Sequence, residues 1–166
     1  MQSSRGFTLF ELLIVVAMIG ILGAIGLPVL IGSSNRNSVW TASEQVASQV
    51  RQARLKAISR NTPFRIRFNC PVLRQYRVLR VTGVGAVDNA ANRCTTYLQH
   101  DSGVFTLPPN VDFGAVPTLE VNGRGQYSLA GVAGLMPPQT INVSYGNTHT
   151  RTFTVSNTGQ ISFAAF

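Results

Sequence analysis

The sequence predicts an α+β protein. One long N-terminal helix, membrane-spanning and then amphipathic, packs against a C-terminal antiparallel β-sheet or sandwich head. Three observations carry this. Leu12–Ile31 is a run of 20 uncharged, almost wholly apolar residues, about the length that crosses a ~30 Å hydrocarbon layer as a helix. Ser38–Arg60 then repeats apolar residues at spacings of three and four, as a helix with one buried face does. From Pro63 onward, short alternating segments follow one another between Gly, Pro and Asn turn signals, which reads as a series of strands.

The apolar run has three competing explanations. A secretory signal peptide has a shorter apolar region, of roughly 7–15 residues, with a small-residue cleavage site beyond it; no A-x-A-like site follows Ile31. A buried core helix that is apolar on every face is unusual outside a membrane. An ordinary signal anchor accounts for the length but not for the acid at its edge. Glu11 is the single charge between Gly6 and Gly32. A carboxylate there is costly unless a cation meets it, and a free α-amino group on a neighbouring copy would be one. The positive end of the helix dipole also favours an acid in the first turn.

The residues before the span add a short polar leader with one base, Arg5, followed by Gly6-Phe7-Thr8-Leu9-Phe10-Glu11. This stretch resembles the class III signal of type IV prepilins and type II secretion pseudopilins, whose motif reads G-F-T-L-x-E. The resemblance implies cleavage between Gly6 and Phe7 by a prepilin peptidase and N-methylation of Phe7. It also implies that Glu11 neutralises a Phe7 amine during assembly with other major and minor pilins or pseudopilins. Gly20 and Pro28 fall where many pilins carry helix-loosening residues. Proline lacks an N–H and kinks or locally melts a helix, while glycine weakens one. The expected organisation is a leader over 1–6, a transmembrane and assembly helix over 7–31, an amphipathic half over 32–61, and a β-rich head over 62–166. The chain is then a single-pass protein of a bacterial inner membrane with its head in the periplasm, later a filament subunit.

In the amphipathic half, Val39, Ala42, Val46, Val50, Ala53 and Ala57 share one helical face, widened by Trp40, Leu55 and Ile58. Glu44, Gln49, Arg51, Gln52, Lys56 and Arg60 lie opposite. Pro63 ends the helix by disfavouring helical geometry at Thr62. Counted from Thr8, the two halves make one helix of about 50 residues, or about 75 Å; a break around Gly32–Asn37 fits the sequence equally well. Strands are predicted over Pro63–Phe68, Gln75–Val81, Thr95–Gln99, Val104–Leu107, Val111–Phe113, Thr118–Val121, Thr140–Tyr145, Arg151–Val155 and Gln160–Phe163. In the first of these, Phe64, Ile66 and Phe68 face the core and leave Arg65 and Arg67 outside.

This region carries a second resemblance. Ala53-Arg54-x-x-Ala57-Ile58-x-Arg60-Asn61, the turn Asn122-Gly123-Arg124 and the stretch Ser156–Ile161 are similar to three motifs of the GspH/FimT pseudopilin family. That family contains minor pilins of type IV pili and the minor pseudopilin H of type II secretion; Pro28 leans toward the pilus. Some members bind DNA through a C-terminal G-R-x-R turn. Here Gly159-Gln160-Ile161-Ser162 lacks both arginines.

Cys70 and Cys94 lie on the exported side of the span if this topology holds, and an even pair in an oxidising compartment usually forms a disulfide. Free thiols are the alternative. A metal site would need more ligands, and His100 and His149, the only histidines, are not at ligand spacing from either cysteine. No G-x-S-x-G, H-E-x-x-H or Walker-type motif is present, so neither an enzyme nor a cofactor is expected.

Charge is the remaining signal. The chain has 14 Lys+Arg against 6 Asp+Glu, a formal +8, and Lys56 is the only lysine. No acid occurs from Gln45 to Val87, a stretch holding Arg51, Arg54, Lys56, Arg60, Arg65, Arg67, Arg74, Arg77 and Arg80. The plain reading is a solvated face, or one that meets acidic surfaces of neighbouring subunits. The sharper reading is a phosphate-contacting surface for DNA, with Arg65, Arg67, Arg74 and Arg77 as candidate contacts. The sequence therefore predicts a structural, minor pilin-like subunit, with a secretion pseudopilin as the alternative and roles in DNA uptake, adhesion or motility open.

Overall fold

A computed structural model describes residues 8–132 and 136–164, with backbone alone for 25–31. The chain divides into two compact units between Arg36 and Asn37. Helix α1, Leu9–Arg60, contributes to both.

In the first unit, the large apolar side chains from Leu9 to Leu22 keep between 41% and 79% of their surface exposed. Nothing within the unit buries them. Among the described residues no helix is long and apolar enough to cross a membrane; part of the predicted span, 25–31, has side chains outside the described set. The expected helix break at Gly20 and Pro28 is not found, since α1 is helical through both positions and through Gly32–Asn37. Glycine costs a helix only about 1 kcal/mol; proline's fixed φ is compatible with a helix, although its missing N–H removes one bond from the ladder.

In the second unit, α1 buries Val39, Ala42, Val46, Ala47, Val50, Ala53 and Ala57. Four of these seven are alanines, so the sheets approach the helix backbone closely. Trp40, Leu55 and Ile58 stay exposed at 43%, 65% and 44%, so the buried stripe is narrower than predicted: small residues leave no room for a wider face.

Among the described residues, nine strands form two antiparallel sheets. The first has the order β3-β2-β1-β5-β6, built from β1 (Phe64–Phe68), β2 (Gln75–Arg80), β3 (Phe105–Thr106), β5 (Leu119–Val121) and β6 (Tyr127–Leu129). The second has the order β4-β7-β8-β9, built from β4 (Val111–Phe113), β7 (Gln139–Tyr145), β8 (His149–Val155) and β9 (Ile161–Phe163). Period-two alternation sends Phe64, Ile66, Tyr76, Val78, Leu119 and Val121 from the first sheet into one core with Val111, Ile141, Val143, Phe153 and Val155 from the second. α1 supplies the third side. Tyr76 stacks on Phe105 at 5.2 Å between ring centroids and meets Phe113 edge-on at 5.7 Å.

Three segments depart from expectation. Thr95–Gln99 is not a strand, because a 3-10 turn over Ala91–Cys94 captures it: the Thr95 and Thr96 N–H groups both donate to Asn92 O at 2.9 Å. That local bond outweighs the β-propensity of Thr-Thr-Tyr. Strand β6 has no alternating run to announce it and exists because the Asn122–Gln126 turn returns the chain against β5. A four-residue helix, α2 (Gly85–Asp88), is likewise too short to show periodicity.

Candidate functional site

At the N-terminus, Gly6 and Phe7 lie outside the described residues. Glu11 stands in the first turn of α1, solvent-exposed, where its N–H donates to Thr8 Oγ1 at 3.2 Å. Thr8 thus caps the helix, and the carboxylate sits in the positive field of the helix end.

Of the four arginines predicted as contacts on one open basic surface, Arg65 and Arg77 are buried and Arg67 and Arg74 are partly so. β1 is central in its sheet, and the β2–β3 connection folds over the face that β1 and β2 turn away from α1. In the β1/β2 register Arg65 faces Leu79 and Arg67 faces Arg77. These are the side chains the connection roofs. Arg77 is fully buried and donates to Thr96 O at 3.4 Å and Ser102 O at 3.1 Å, as well as to Cys94 O. Arg65 is 9% exposed; it pairs with Glu120 at 3.0 Å and donates to Asp88 O and Asn89 Oδ1. Arg77 and Arg65 are therefore withdrawn as DNA contacts: they spend their hydrogen bonds inside the head. Arg67 is half-buried, and its pKa is lowered by desolvation and by the neighbouring Arg65 and Arg93. Arg74 is more open but pairs with Asp112 at 2.7 Å.

Asp101 is the hub of this roof. Its side chain is 1% exposed, 2.7 Å from Arg93 and 3.9 Å from Arg77. Its carboxylate accepts N–H bonds from Arg80 at 2.7 Å and Leu98 at 2.9 Å. Burial pushes its pKa up, but the Arg93 bonds and these two N–H groups more than offset that and hold it below the usual carboxylate value. Asp88 closes the near end of the roof by accepting N–H bonds from Thr82 and Gly83 at 2.9 Å. Cys70 and Cys94 are disulfide-bonded, with Cα atoms 5.3 Å apart, which fastens the far end of β1 to the same connection. Among the described residues no group of His, Cys, Asp and Glu gathers as metal ligands.

A second construction joins the turns noted in the sequence. Arg54 Nε donates to Gly125 O at 2.9 Å. Tyr127 Oη donates to Val50 O at 2.6 Å, and its backbone N–H to Asn157 O at 2.7 Å. The Asn122–Gly125 and Ser156–Gly159 turns thus converge on one stretch of α1. Sequence reasoning found all three pieces but not their meeting, which no spacing along the chain reveals.

Gly125 and Gly159 both have φ +79, in the left-handed region that disfavours other residues. A Cβ on Gly159 would lie 2.7 Å from Arg54 Cδ and 3.1 Å from Tyr127 Cε2. Gly159→Ala is expected to cost about 2 kcal/mol in urea unfolding. The cost should shrink in an Arg54→Ala background, which removes the close contact but not the backbone strain. An equal cost in both backgrounds would deny the contact.

Comparison with known proteins gives the same picture. Residues 42–159 match the family described as Type II transport protein GspH, and residues 1–27 match the prokaryotic N-terminal methylation motif. The fold is similar to that of the type IV minor pilin FimU of Pseudomonas aeruginosa: 13% identity, 80% of this chain, 92% of that chain, TM-score 0.56. It is also similar to that of the minor pseudopilin EpsH from the Type 2 Secretion System of Vibrio cholerae: 15% identity, 77% of this chain, 97% of that chain, TM-score 0.53. A curated relative, the pilin-like protein PilA1 of Thermus thermophilus, is 47% identical over 60 residues, 36% of this chain and 37% of that protein's length. Long helix, two-sheet head and methylation motif together define a pilin-like subunit. The chain belongs to the GspH/FimT family of minor pilins and pseudopilins.

Proposed function

We propose that the chain is a minor pilin-like subunit of a type IV pilus, made as a precursor, cut between Gly6 and Phe7 by a prepilin peptidase and methylated on Phe7. Its role is structural, not catalytic. It waits in the bacterial inner membrane with its head in the periplasm, and then joins or primes a filament of major and minor pilins. The observation that supports this most directly is the exposure of every large apolar side chain described from Leu9 to Leu22. Eleven such residues in water would cost far more than a marginally stable fold can spare, so lipid or neighbouring helices must cover them. Glu11, the lone acid beside this surface, is suited to meet the Phe7 amine of another copy.

The secretion reading is favoured by the family's description and by the likeness to EpsH. Neighbouring genes for other minor pilins would support the pilus, and genes for secretion components the pseudopilus. Intact-mass measurement of protein from the native host tests the shared core of both readings. The expected product lacks residues Met1–Gly6; a mature protein that keeps them would sink the proposal. Glu11→Ala should be cleaved normally yet recovered poorly in sheared filaments, and undiminished recovery would remove Glu11 from assembly.

A further inference from the structure

Several cations form no ion pair among the described residues, and two of them, Lys56 and Arg60, meet at His100. Lys56 and Arg60 lie one turn apart on α1, and neither they nor Arg80 form an ion pair among the described residues. Lys56 Nζ donates to His100 O, and Arg60 Nη1 lies 2.8 Å from His100 Nδ1. Arg80, at the end of β2, donates its N–H to the adjoining Asp101 at 2.7 Å, which brings the same strand end to His100. The one carboxylate nearby is already committed to Arg93. Arg80 Nε is sealed from solvent with no acceptor. His100 holds φ +78, a conformation sparse among non-glycine residues and frequent where a binding group must be aimed.

We propose that Lys56, Arg60, Arg80 and His100 form a binding site for a phosphoryl oxyanion. Two planar guanidiniums, an ammonium and an imidazole offer the donor set that such an anion takes. Uncompensated cations at close quarters repel one another, and a bound anion relieves this. The ring registers that field: the His100 pKa is lowered by partial desolvation and by the charges of Arg60, Arg80 and Lys56. Lys56 is lowered by desolvation and then by Arg60, with Asp101 opposing. Anion binding must therefore raise the His100 pKa, since it cancels the cations that depress it. The site is independent of the filament reading, as it lies wholly in the second unit.

The test uses the full chain in an uncharged maltoside detergent, with the imidazole C–H signals of His100 and His149 followed by NMR. Inorganic phosphate replaces chloride at constant ionic strength. The expected result is a saturable shift of His100 alone and a higher titration midpoint. Arg60→Ala should weaken binding by about tenfold or more, while Arg51→Ala, an equal loss of charge on the same helix, should leave it unchanged. A shift that never saturates, a parallel shift of His149, or equal losses from both variants would overturn the site in favour of diffuse screening. A short oligothymidylate distinguishes the sources of the ligand. Displacement of inorganic phosphate at His100 supports polymer-borne phosphate, and saturation by phosphate alone supports a free anion.

Discussion

Asp101→Ala is expected to destabilise the head by about 3–5 kcal/mol, the usual cost of removing one partner from a buried ion pair. The loss would come less from the vanished attraction than from what it strands. Arg77 and Arg93 are both buried, and among the described residues Asp101 is the one carboxylate within 4.0 Å of either. The N–H groups of Arg80 and Leu98 would lose their acceptor as well. Chemical denaturation at neutral pH measures the effect, and a loss under about 1 kcal/mol would put water, not protein, around this cluster. The pH dependence has a definite sign. The folded Asp101 pKa is lowered, so its contribution is fully present above the unfolded value of about 3.9 and is lost as pH falls through the folded value. The stability gap between wild type and Asp101→Asn should therefore be constant from neutral pH to about pH 5 and close below about pH 4.

Replacing both cysteines by alanine is expected to cost about 3 kcal/mol. The bond closes a loop of 24 residues in sequence separation, and the chain-entropy relation gives that magnitude for such a loop. The reduced wild type should show the same loss, which a thermal melt with and without reductant measures. The second expectation is spatial. The bond and the Asp101 cluster hold the same β2–β3 connection, so Asp101→Ala and the cysteine pair should not add. Once one tie is gone the connection is already loosened, and the second removal costs less. Full additivity would mean that the two ties act on separate parts of the head.

The fold class was legible because it rests on periodicity. Spacings of three and four identified Val39, Ala42, Val46, Val50, Ala53 and Ala57 as the inner face of α1, and all six are buried. Alternation placed β1, β2, β7 and β8 within a residue or two of their bounds. What failed to show was whatever depends on one segment covering another. Arg65 and Arg67 alternate outward from the core, and a strand pattern alone says that outward means solvent. Only the β2–β3 connection, irregular and non-periodic, turns that face into an interior. A hint was present: Asp88, Arg93, Cys94 and Asp101 fall close together in a segment with little apolar content. Such a stretch has few ways to order itself other than by charge and covalent bond. The three cations around His100 escaped the same way, coming from α1 and β2 to meet a loop.

The grip of the head on α1 has a mechanical consequence. Tyr127 holds the carbonyl of Val50, Gly125 holds the side chain of Arg54, and Arg151 of β8 holds Glu44 at 3.0 Å and Ser43 at 3.0 Å. These anchors come from both sheets and are spaced along several turns of one rod. A tensile load entering through α1 is therefore shared among them in parallel, not met one at a time. Anchors that share a load yield together at a high force, whereas those met in sequence yield singly at a low one. Among the described residues the head is thus fastened like a riveted lap joint, in which no single rivet has to carry the pull.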